Sequence, residues 1–156
     1  MLTYEGSLIE ATYFSCSGGS TEEAAAVWGT DYPYLQAVSS PGEENAAHYS
    51  DTISFTASQF QEKTGCALTG EPAGWFAVES YTPGGGIGTI SICGQGYTGK
   101  QLRQLLGLPS TIMTLSVSDG IITIVTRGYG HRVGMSQYGA DAMAVTGSTY
   151  AEILAH

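Results

Sequence analysis

A glycine-rich stretch, residues 128–140, carries a dense set of hydrogen-bonding side chains, and we call it the glycine motif. An apolar, β-branched run over residues 121–126 precedes it and predicts a buried strand. Ala140, Met143 and Ala144 follow at helical spacing, and the first turn of such a helix favours an oxygen-rich or anionic partner. The polar side chains that crowd the turn are His131, Arg132, Ser136, Gln137 and Tyr138. The motif is a candidate binding loop, with a purely structural glycine-rich turn as the open alternative.

A second turn of similar make-up lies near the amino terminus, around Gly18, and it too follows a predicted strand. Behind it, Ser20 with Glu23 three residues later forms a capping-box pattern, which predicts a short helix over residues 21–27. Since both turns join a strand to the start of a helix, we expect the turns at Gly18 and Gly134 to face each other across one groove.

Cys16 is the side chain near this turn that is best suited to act as a nucleophile. It lies just before the predicted helix, whose dipole would lower a thiol pKa, and His131 could take its proton. A cysteine at a strand end is also typical of buried core. Ser15 or Ser17 would need the same histidine and lacks the Gly-x-Ser-x-Gly turn of serine hydrolases. A cysteine–histidine hydrolase is therefore the weaker alternative.

Cleavage of a glycosidic bond would need a carboxylic acid whose pKa is raised by apolar surroundings. The candidates are Glu10, Glu22, Glu23, Glu79 and Asp141. Three of them fall early in predicted helices, where the dipole lowers a carboxyl pKa, and none is a convincing proton donor. The histidines are His48, His131 and His156. They lack metal-ligand spacing, so no metal or other cofactor is expected.

Composition narrows the class of ligand. The formal net charge of −9 makes the chain a poor candidate for binding nucleic acid or anionic membranes. Its 10 tyrosines, with amides and hydroxyls, suit an uncharged ligand such as a carbohydrate. Three cysteines exclude a fully paired disulfide framework and leave the pairing of Cys66 with Cys93 open. No signal peptide or transmembrane stretch is present, and the abrupt start within a predicted strand predicts a fragment.

The elements that must position these side chains are short, and many of them are strands. The pattern predicts a hairpin over 2–14, a turn and a short strand within 31–38, and a strand over 52–56 with a helix to Gly65. It further predicts strands over 75–81 and 87–93, a helix over 98–107, a hairpin over 112–126 and a last helix capped by Thr149 and Glu152. The predicted fold class is α+β, with β-rich antiparallel sheets and several short helices. We expect one lobe from residues 1–50 with 111–156, and a second, smaller lobe from 52–110.

Two blocks of the sequence resemble the SpoIID/LytB family. The first block is Ala11-Thr12-Tyr13-Phe14-Ser15-Cys16-Ser17-Gly18-Gly19-Ser20-Thr21-Glu22, followed by Val27-Trp28-Gly29, Pro33-Tyr34-Leu35 and Val38-Ser39-Ser40-Pro41. The second is Gly130-His131-x-Val133-Gly134-Met135-Ser136-Gln137-Tyr138-Gly139-Ala140, followed by Met143-Ala144, Gly147, Tyr150 and Ile153-Leu154. The order and spacing of the blocks agree with the family, whereas the middle, about 52–109, matches only in general character.

The resemblance implies a SpoIID-like fold and a place in sporulation. It implies a lytic transglycosylase that cleaves MurNAc–GlcNAc bonds of denuded peptidoglycan strands during engulfment, with one glutamate acting as acid and then as base. The LytB branch implies the alternative, a glycan-binding or amidase-enhancing module without chemistry of its own. The implied partners are glycan strands and other sporulation or cell-wall proteins. The implied location is extracytoplasmic, in a parent protein that is membrane-anchored or secreted.

The family's catalytic glutamate lies in a Glu-Met-Pro-like segment that is absent from this sequence, as is the cysteine/histidine zinc loop of some clostridial relatives. The resemblance therefore predicts a C-terminal portion that supplies half of a groove, and it assigns no catalytic residue here. The residues predicted to bind glycan are Tyr13, Ser15, Ser17, Gly18, Gly19 and Thr21 on one wall, and His131, Ser136, Gln137 and Tyr138 on the other. Trp28 and Tyr34 are expected to pack rather than to stack on sugars.

Overall fold

The computed structural model describes residues 1–156 as short strands and helices. The strands are β1 (Thr3–Tyr4), β2 (Ser7–Leu8), β3 (Tyr13–Phe14), β4 (Ser50–Thr56), β5 (Phe76–Tyr81), β6 (Ile87–Ile92), β7 (Gln95–Thr98), β8 (Ile112–Ser118), β9 (Ile121–Arg127) and β10 (Met135–Ser136). The α-helices are α1 (Ala24–Trp28), α2 (Ala57–Thr64), α3 (Gly99–Leu106), α4 (Gln137–Val145) and α5 (Tyr150–Ala155), and a 3₁₀ helix spans Pro72–Gly74. The predicted α+β class with antiparallel sheets is confirmed.

The larger core is built from two antiparallel sheets of three strands each, ordered β4-β9-β8 and β5-β6-β7, and from helices α2 and α3. Alternation along β9 buries Ile122 and Ile124 and leaves Ile121 and Val125 exposed, as a strand with one face on a core requires. Each fully buried isoleucine stabilises the fold by roughly 1.5–3 kcal/mol. This core is the rigid base from which β9 leads into the glycine motif.

A smaller unit is formed by residues 1–49 and 128–156. Its own apolar cluster consists of Ala24, Leu35 and Val133. Strand β3 pairs in parallel with β10, so that Tyr13 lies opposite Met135. The hairpin β8–β9 packs in the larger core and shares no sheet with β1–β2. The expected division into lobes, 1–50 with 111–156 and 52–110, stays a prediction.

The helix starts predicted from the capping pairs at Thr56, Thr98 and Thr149 are confirmed. Thr56 with Gln59 caps α2, Thr98 with Gln101 caps α3, and each pair exchanges both capping hydrogen bonds. Helices α2 and α3 end at Gly65 and Gly107, whose φ values of 71° and 67° are left-handed. These helices were predictable because every group involved lies within one turn of the chain.

Three local predictions near the amino terminus are wrong. The first hairpin ends at Leu8, and residues 13–14 form the separate strand β3. Helix α1 begins at Ala24 without a side-chain cap, because the Ser20 hydroxyl donates to carbonyls outside the helix, that of Val38 among them. The segment over 34–38 is not a strand.

None of the helices of the chain has the length and apolar character needed to cross a membrane.

Candidate functional site

The amino turn (residues 15–22) and the glycine motif are in direct contact. The backbone N–H of Tyr129 donates to the Cys16 carbonyl at 2.8 Å, and that of Glu22 donates to the Arg132 carbonyl at 2.6 Å. A Cβ on Gly18 would lie 2.6 Å from the Arg127 carbonyl carbon, so this close approach needs glycine. The two turns therefore form one interlocked framework, and the groove predicted between them is closed at this point.

The buried side chain of Arg132 binds backbone carbonyls inside this framework. Its side chain is 1 % exposed, and its guanidinium donates to the carbonyls of Ser17 (3.0 Å) and Ser20 (2.9 Å), and also to that of Gly84. Burial lowers the pKa of Arg132 to about 10, although the nearby Glu22 carboxylate opposes the shift. Since that value is far above neutrality, Arg132 stays charged, and its donors face protein carbonyls rather than a ligand.

Glu22 is the ion-pair partner of Arg132, with 3.9 Å between the nearest oxygen and nitrogen. It also accepts hydrogen bonds from the Gly84 N–H at 2.9 Å and from the Thr82 hydroxyl. The carboxylate thereby joins the amino turn to the loop between β5 and β6. Its oxygens thus face Arg132, the Gly84 amide and the Thr82 hydroxyl, so the carboxylate serves the framework rather than a ligand.

Glu43 is a second buried carboxylate, and the sequence reasoning missed it. It is 2 % exposed, and one of its oxygens accepts from the Ser17 amide (2.7 Å), the Ser17 hydroxyl (2.9 Å), the Gly18 amide (3.2 Å) and the Cys16 thiol (3.2 Å). The other oxygen accepts from the Ser40 hydroxyl at 2.6 Å. Only its place in a Ser-Ser-Pro-Gly-Glu loop, rich in small polar residues, hinted at such a role.

The pKa of Glu43 lies below its ordinary value. Burial alone would raise it, but hydrogen bonds from Ser136, Ser40, Cys16 and Ser17 favour the charged form and outweigh burial. Glu43 is therefore an anion at neutral pH and holds the amino turn to the start of α4.

Cys16 is buried and does not have the properties of a nucleophile. Its thiol is 0 % exposed and donates to Glu43. Burial and the hydrogen bond to Glu43 raise the pKa of Cys16 to about 11, so the thiolate is scarce at neutral pH. The structure thus argues against the cysteine–histidine hydrolase. Cys66 and Cys93 are both free thiols.

Several residues predicted to bind glycan are instead occupied within the protein. Ser17 and Gly18 are buried against Glu43. The Thr21 hydroxyl donates to the Gln36 carbonyl and accepts from the Val38 amide, and the Ser136 hydroxyl accepts from the Gly139 amide as the cap of α4. These contacts place them in the supporting framework, and Ser15 and Gly19 are half-buried beside them.

The predicted residues that reach solvent form a separate group. Tyr13 is 63 % exposed, and Gln137 and Tyr138 at the start of α4 are exposed as well. His131 is half-buried, with its ring 5.4 Å from that of Trp28, and its Nδ1 accepts from the Val133 amide at 3.1 Å. The role of all ten residues in binding stays a prediction.

The pKa of His131 is lowered by burial and by the positive charge of Arg103, which outweigh the backbone carbonyl of Tyr13. A histidine with a lowered pKa is neutral at pH 7, so it adds no positive charge to the surface beside Trp28.

An open cleft of about 540 Å³ lies next to Tyr13. The walls come from β1, residues 9–13, residues 33–38, β10, α4 and α5. Of the ten predicted binding residues, Tyr13, Thr21 and Ser136 line it. Tyr4 and Tyr34 also line it, with ring centroids 5.2 Å apart, so the cleft combines apolar walls with hydroxyl groups. This lining suits a largely uncharged ligand with apolar faces and hydroxyls, such as a sugar.

No family model matches the chain. It is 41 % identical over 156 residues to stage II sporulation protein D of Bacillus amyloliquefaciens, and 42 % identical over 154 residues to the protein of that name in Bacillus subtilis. The amidase enhancer of Bacillus subtilis is 27 % identical over 212 aligned residues. These alignments cover 99–100 % of this chain but only 45 % of each sporulation protein and 29 % of the amidase enhancer.

The chain thus spans less than half the length of the curated relatives it matches. Its likeness nevertheless runs through every element described above, since both sporulation relatives align from end to end of it. The interlocked turns, Glu43 and the cleft all fall within the aligned region. By sequence over its whole length, the chain belongs to the SpoIID/LytB family of sporulation and cell-wall proteins.

Proposed function

We propose that this chain supplies the glycan-binding surface of a peptidoglycan lytic transglycosylase that acts on denuded strands during sporulation. The observation that carries the proposal is the cleft of about 540 Å³, which opens beside the exposed Tyr13 and is lined by apolar groups and tyrosines. Aromatic faces and hydroxyls are the groups that bind sugars. On this proposal the protein works outside the cytoplasm, where its substrate lies.

The proton donor of the reaction is not assigned to this chain. A lytic transglycosylase needs a carboxylic acid that protonates the glycosidic oxygen and then, as a base, takes a proton from the sugar's C6 hydroxyl. Glu43 is buried and its hydrogen bonds hold its pKa below the ordinary value, while Glu22 is buried and occupied by contacts with Arg132 and Gly84. We therefore infer that in the full-length protein the acid comes from residues beyond these 156.

The alternative is a binding module without chemistry, as the name of the amidase enhancer suggests for that relative. The same two carboxylates favour it, because nothing in the buried framework resembles a poised acid. In that case the cleft would tether or present glycan to a separate hydrolase.

A sedimentation assay with purified, denuded glycan strands tests binding. We expect the chain to sediment with the strands, and Tyr13→Ala to weaken binding roughly three- to tenfold through loss of one aromatic contact. Tyr81→Ala is the matched control, since Tyr81 is similarly exposed but lies on β5 and does not line the cleft. No sedimentation by the folded wild-type chain, or equal losses in both variants, would overturn the proposed surface.

Mass spectrometry of the same strands separates the two candidates. We expect no 1,6-anhydro ends from this chain alone. If such ends appear, the acid lies within these 156 residues and our assignment of the proton donor is wrong. If a full-length protein with the same cleft forms no such ends, the binding module is favoured over the transglycosylase.

A further inference from the structure

Two of the five cationic side chains in this acidic protein lie together on one face of α3. Lys100 and Arg103 are three residues apart on that helix, so their side chains project from the same face. The formal net charge of the chain is −9. The pair thus forms a local positive patch on an otherwise acidic protein, and such a patch attracts an anionic group.

Backbone contacts place this pair beside the candidate site. Lys100 Nζ donates to the Val27 carbonyl at 2.9 Å, which anchors it at the end of α1 next to Trp28. Arg103 Nε donates to the Leu108 carbonyl at 3.2 Å, just before the loop whose Pro109 carbonyl accepts from Gly130 of the glycine motif. The start of α3, the end of α1 and the glycine motif therefore meet at one surface.

Arg103 has no carboxylate partner. The ion pairs of the protein are His48 with Asp51 and Arg132 with Glu22, and neither includes Arg103 or Lys100. Arg103 uses only its Nε within the protein, which leaves both terminal nitrogens of the guanidinium free of hydrogen bonds to other residues. Arg103 is half-buried, so its charge is screened by solvent less than that of a fully exposed arginine.

Aromatic rings lie close to Arg103. Its charge is felt at Tyr129 and at His131, and the latter ring lies 5.4 Å from the ring of Trp28. Trp28 is 40 % exposed, so it offers an aromatic face beside the cations. The Tyr13 carbonyl lies near His131, and Tyr13 also lines the cleft. Tyr13 therefore links the wall of the cleft to His131, whose ring lies beside that of Trp28.

We propose that Arg103, with Lys100 beside it, binds the free carboxylate of an acidic sugar at the end of the glycan surface. The inference rests on the proposed function, and it names the group that is recognised. The muramic acid residue of peptidoglycan carries a lactyl carboxylate, which is free when the stem peptide has been removed and is converted to a neutral amide when the peptide is attached. The two free nitrogens of a guanidinium match such a carboxylate in a bidentate pair.

This arrangement gives Arg103 a role in specificity. A glycan strand that still carries peptides presents a neutral, bulky amide at the same position. That strand cannot form the charge-assisted pair, and Arg103 stays half-buried without a partner. Denuded strands are therefore preferred by an attractive contact that only they can make.

The test compares binding of three probes at low salt: denuded strands, the same strands with their lactyl carboxylates amidated by methylamine, and a chito-oligosaccharide that lacks the lactyl group. We expect the wild type to bind the denuded strands about tenfold more tightly than the amidated ones, with a preference that fades at high salt. Arg103→Gln is expected to reduce the ratio of affinities for denuded and amidated strands from about tenfold to about one.

Lys63→Gln is the matched control, because it removes one exposed positive charge from α2 and should retain the preference. Arg103→Lys keeps the charge without the bidentate geometry and should retain part of it. A melting temperature close to that of the wild type establishes that each variant is folded.

The inference is overturned if the folded wild type binds denuded and amidated strands equally, or if Arg103→Gln weakens both to the same extent. In either case glycan binding survives, so the proposed function stands without this recognition. If the wild type binds none of the three probes, the proposed function and the inference fail together.

Discussion

Replacement of Glu43 by alanine is the sharpest test of how the site is held together. The substitution removes the acceptor of five hydrogen bonds from the buried junction of the amino turn, Ser40 and the start of α4. The Ser17 and Ser40 hydroxyls can turn toward other acceptors, but the amides of Ser17 and Gly18 cannot. Two buried N–H groups are therefore left without a partner.

The cost follows from those two groups. A buried donor that loses its partner costs about 1–3 kcal/mol, so Glu43→Ala should destabilise the protein by about 2–6 kcal/mol. Glu43→Gln keeps one carbonyl oxygen for the two amides and loses only the charge assistance, which predicts a cost of about 1–2 kcal/mol. Because a domain of this size is stabilised by about 5–15 kcal/mol, the alanine variant should still fold.

Urea unfolding measures both costs, and hydrogen exchange locates them. We expect the Ser17 and Gly18 amides to exchange faster in Glu43→Ala, while amides of β9 in the larger core stay protected. Glu44→Gln serves as control, since this neighbour is exposed and makes no hydrogen bond. If Glu43→Ala unfolds within about 0.5 kcal/mol of the wild type, the hydrogen bonds to Glu43 do not stabilise the site.

The charge of Glu43 also predicts how stability depends on pH. The pKa of Glu43 in the folded protein is lower than in the unfolded chain, so the unfolded state binds its proton first. The stabilisation is complete above the unfolded pKa of about 4.3 and is lost as pH falls from there through the folded pKa. Glu43→Gln should flatten the stability profile in this acidic window, and an unchanged profile would contradict a buried anion.

Three further predictions concern the framework and the helix caps. Gly18→Ala should destabilise the protein by about 2 kcal/mol or more, because φ is 74° there and the new Cβ would lie 2.6 Å from the Arg127 carbonyl carbon; urea unfolding measures it. Native Cys16 should resist iodoacetamide at pH 8, since its thiol is buried with a pKa of about 11, whereas Cys93 should be alkylated faster; mass spectrometry measures both. Thr98→Ala should cost about 1 kcal/mol by removing the cap of α3, seen as a lower melting temperature.

Each of these has an outcome that contradicts it. Gly6→Ala has a similar φ of 81° but open space around its Cβ, so equal costs at Gly6 and Gly18 would show that contact with the glycine motif is unimportant. Alkylation of Cys16 at the rate of a free thiol would mean that the amino turn opens readily. A Thr98→Ala protein as stable as the wild type would show that packing of α3 alone fixes its start.

Local chemistry explains what could be predicted from the sequence. The caps at Thr56 and Thr98 were found because each residue and its partner lie three positions apart in the chain. The same pattern gave a wrong prediction at Ser20, because its hydroxyl donates to the Val38 carbonyl instead of capping the helix. This contact spans 18 positions, and no local pattern reveals it. The turn at Asp119 and Gly120 was found because the alternating strands on both sides of it are contiguous.

The candidate site was only partly predictable for the same reason. The glycine motif and the amino turn were located from their residue types, and both contribute to one framework. The partners that decide which side chains stay free, Glu43 and Glu22 with Arg132, make contacts across 26 to 110 positions. In the sequence, Ser17 and Thr21 look like ligand-binding hydroxyls. In the folded chain, the Ser17 hydroxyl donates to Glu43 and the Thr21 hydroxyl donates to the Gln36 carbonyl.

The parallel pairing of β3 with β10 has a consequence for the order of folding. Tyr13 and Met135 are opposite each other although 122 positions separate them, whereas the larger core draws on the nearly contiguous residues 55–124. Bringing β3 to β10 closes a loop of this length, which costs conformational entropy. That cost is smaller once the middle segment is already compact. The cleft should therefore appear last during folding, after the two sheets have formed, and a chain emerging from its ribosome would complete the cleft only when its final fifth has been released.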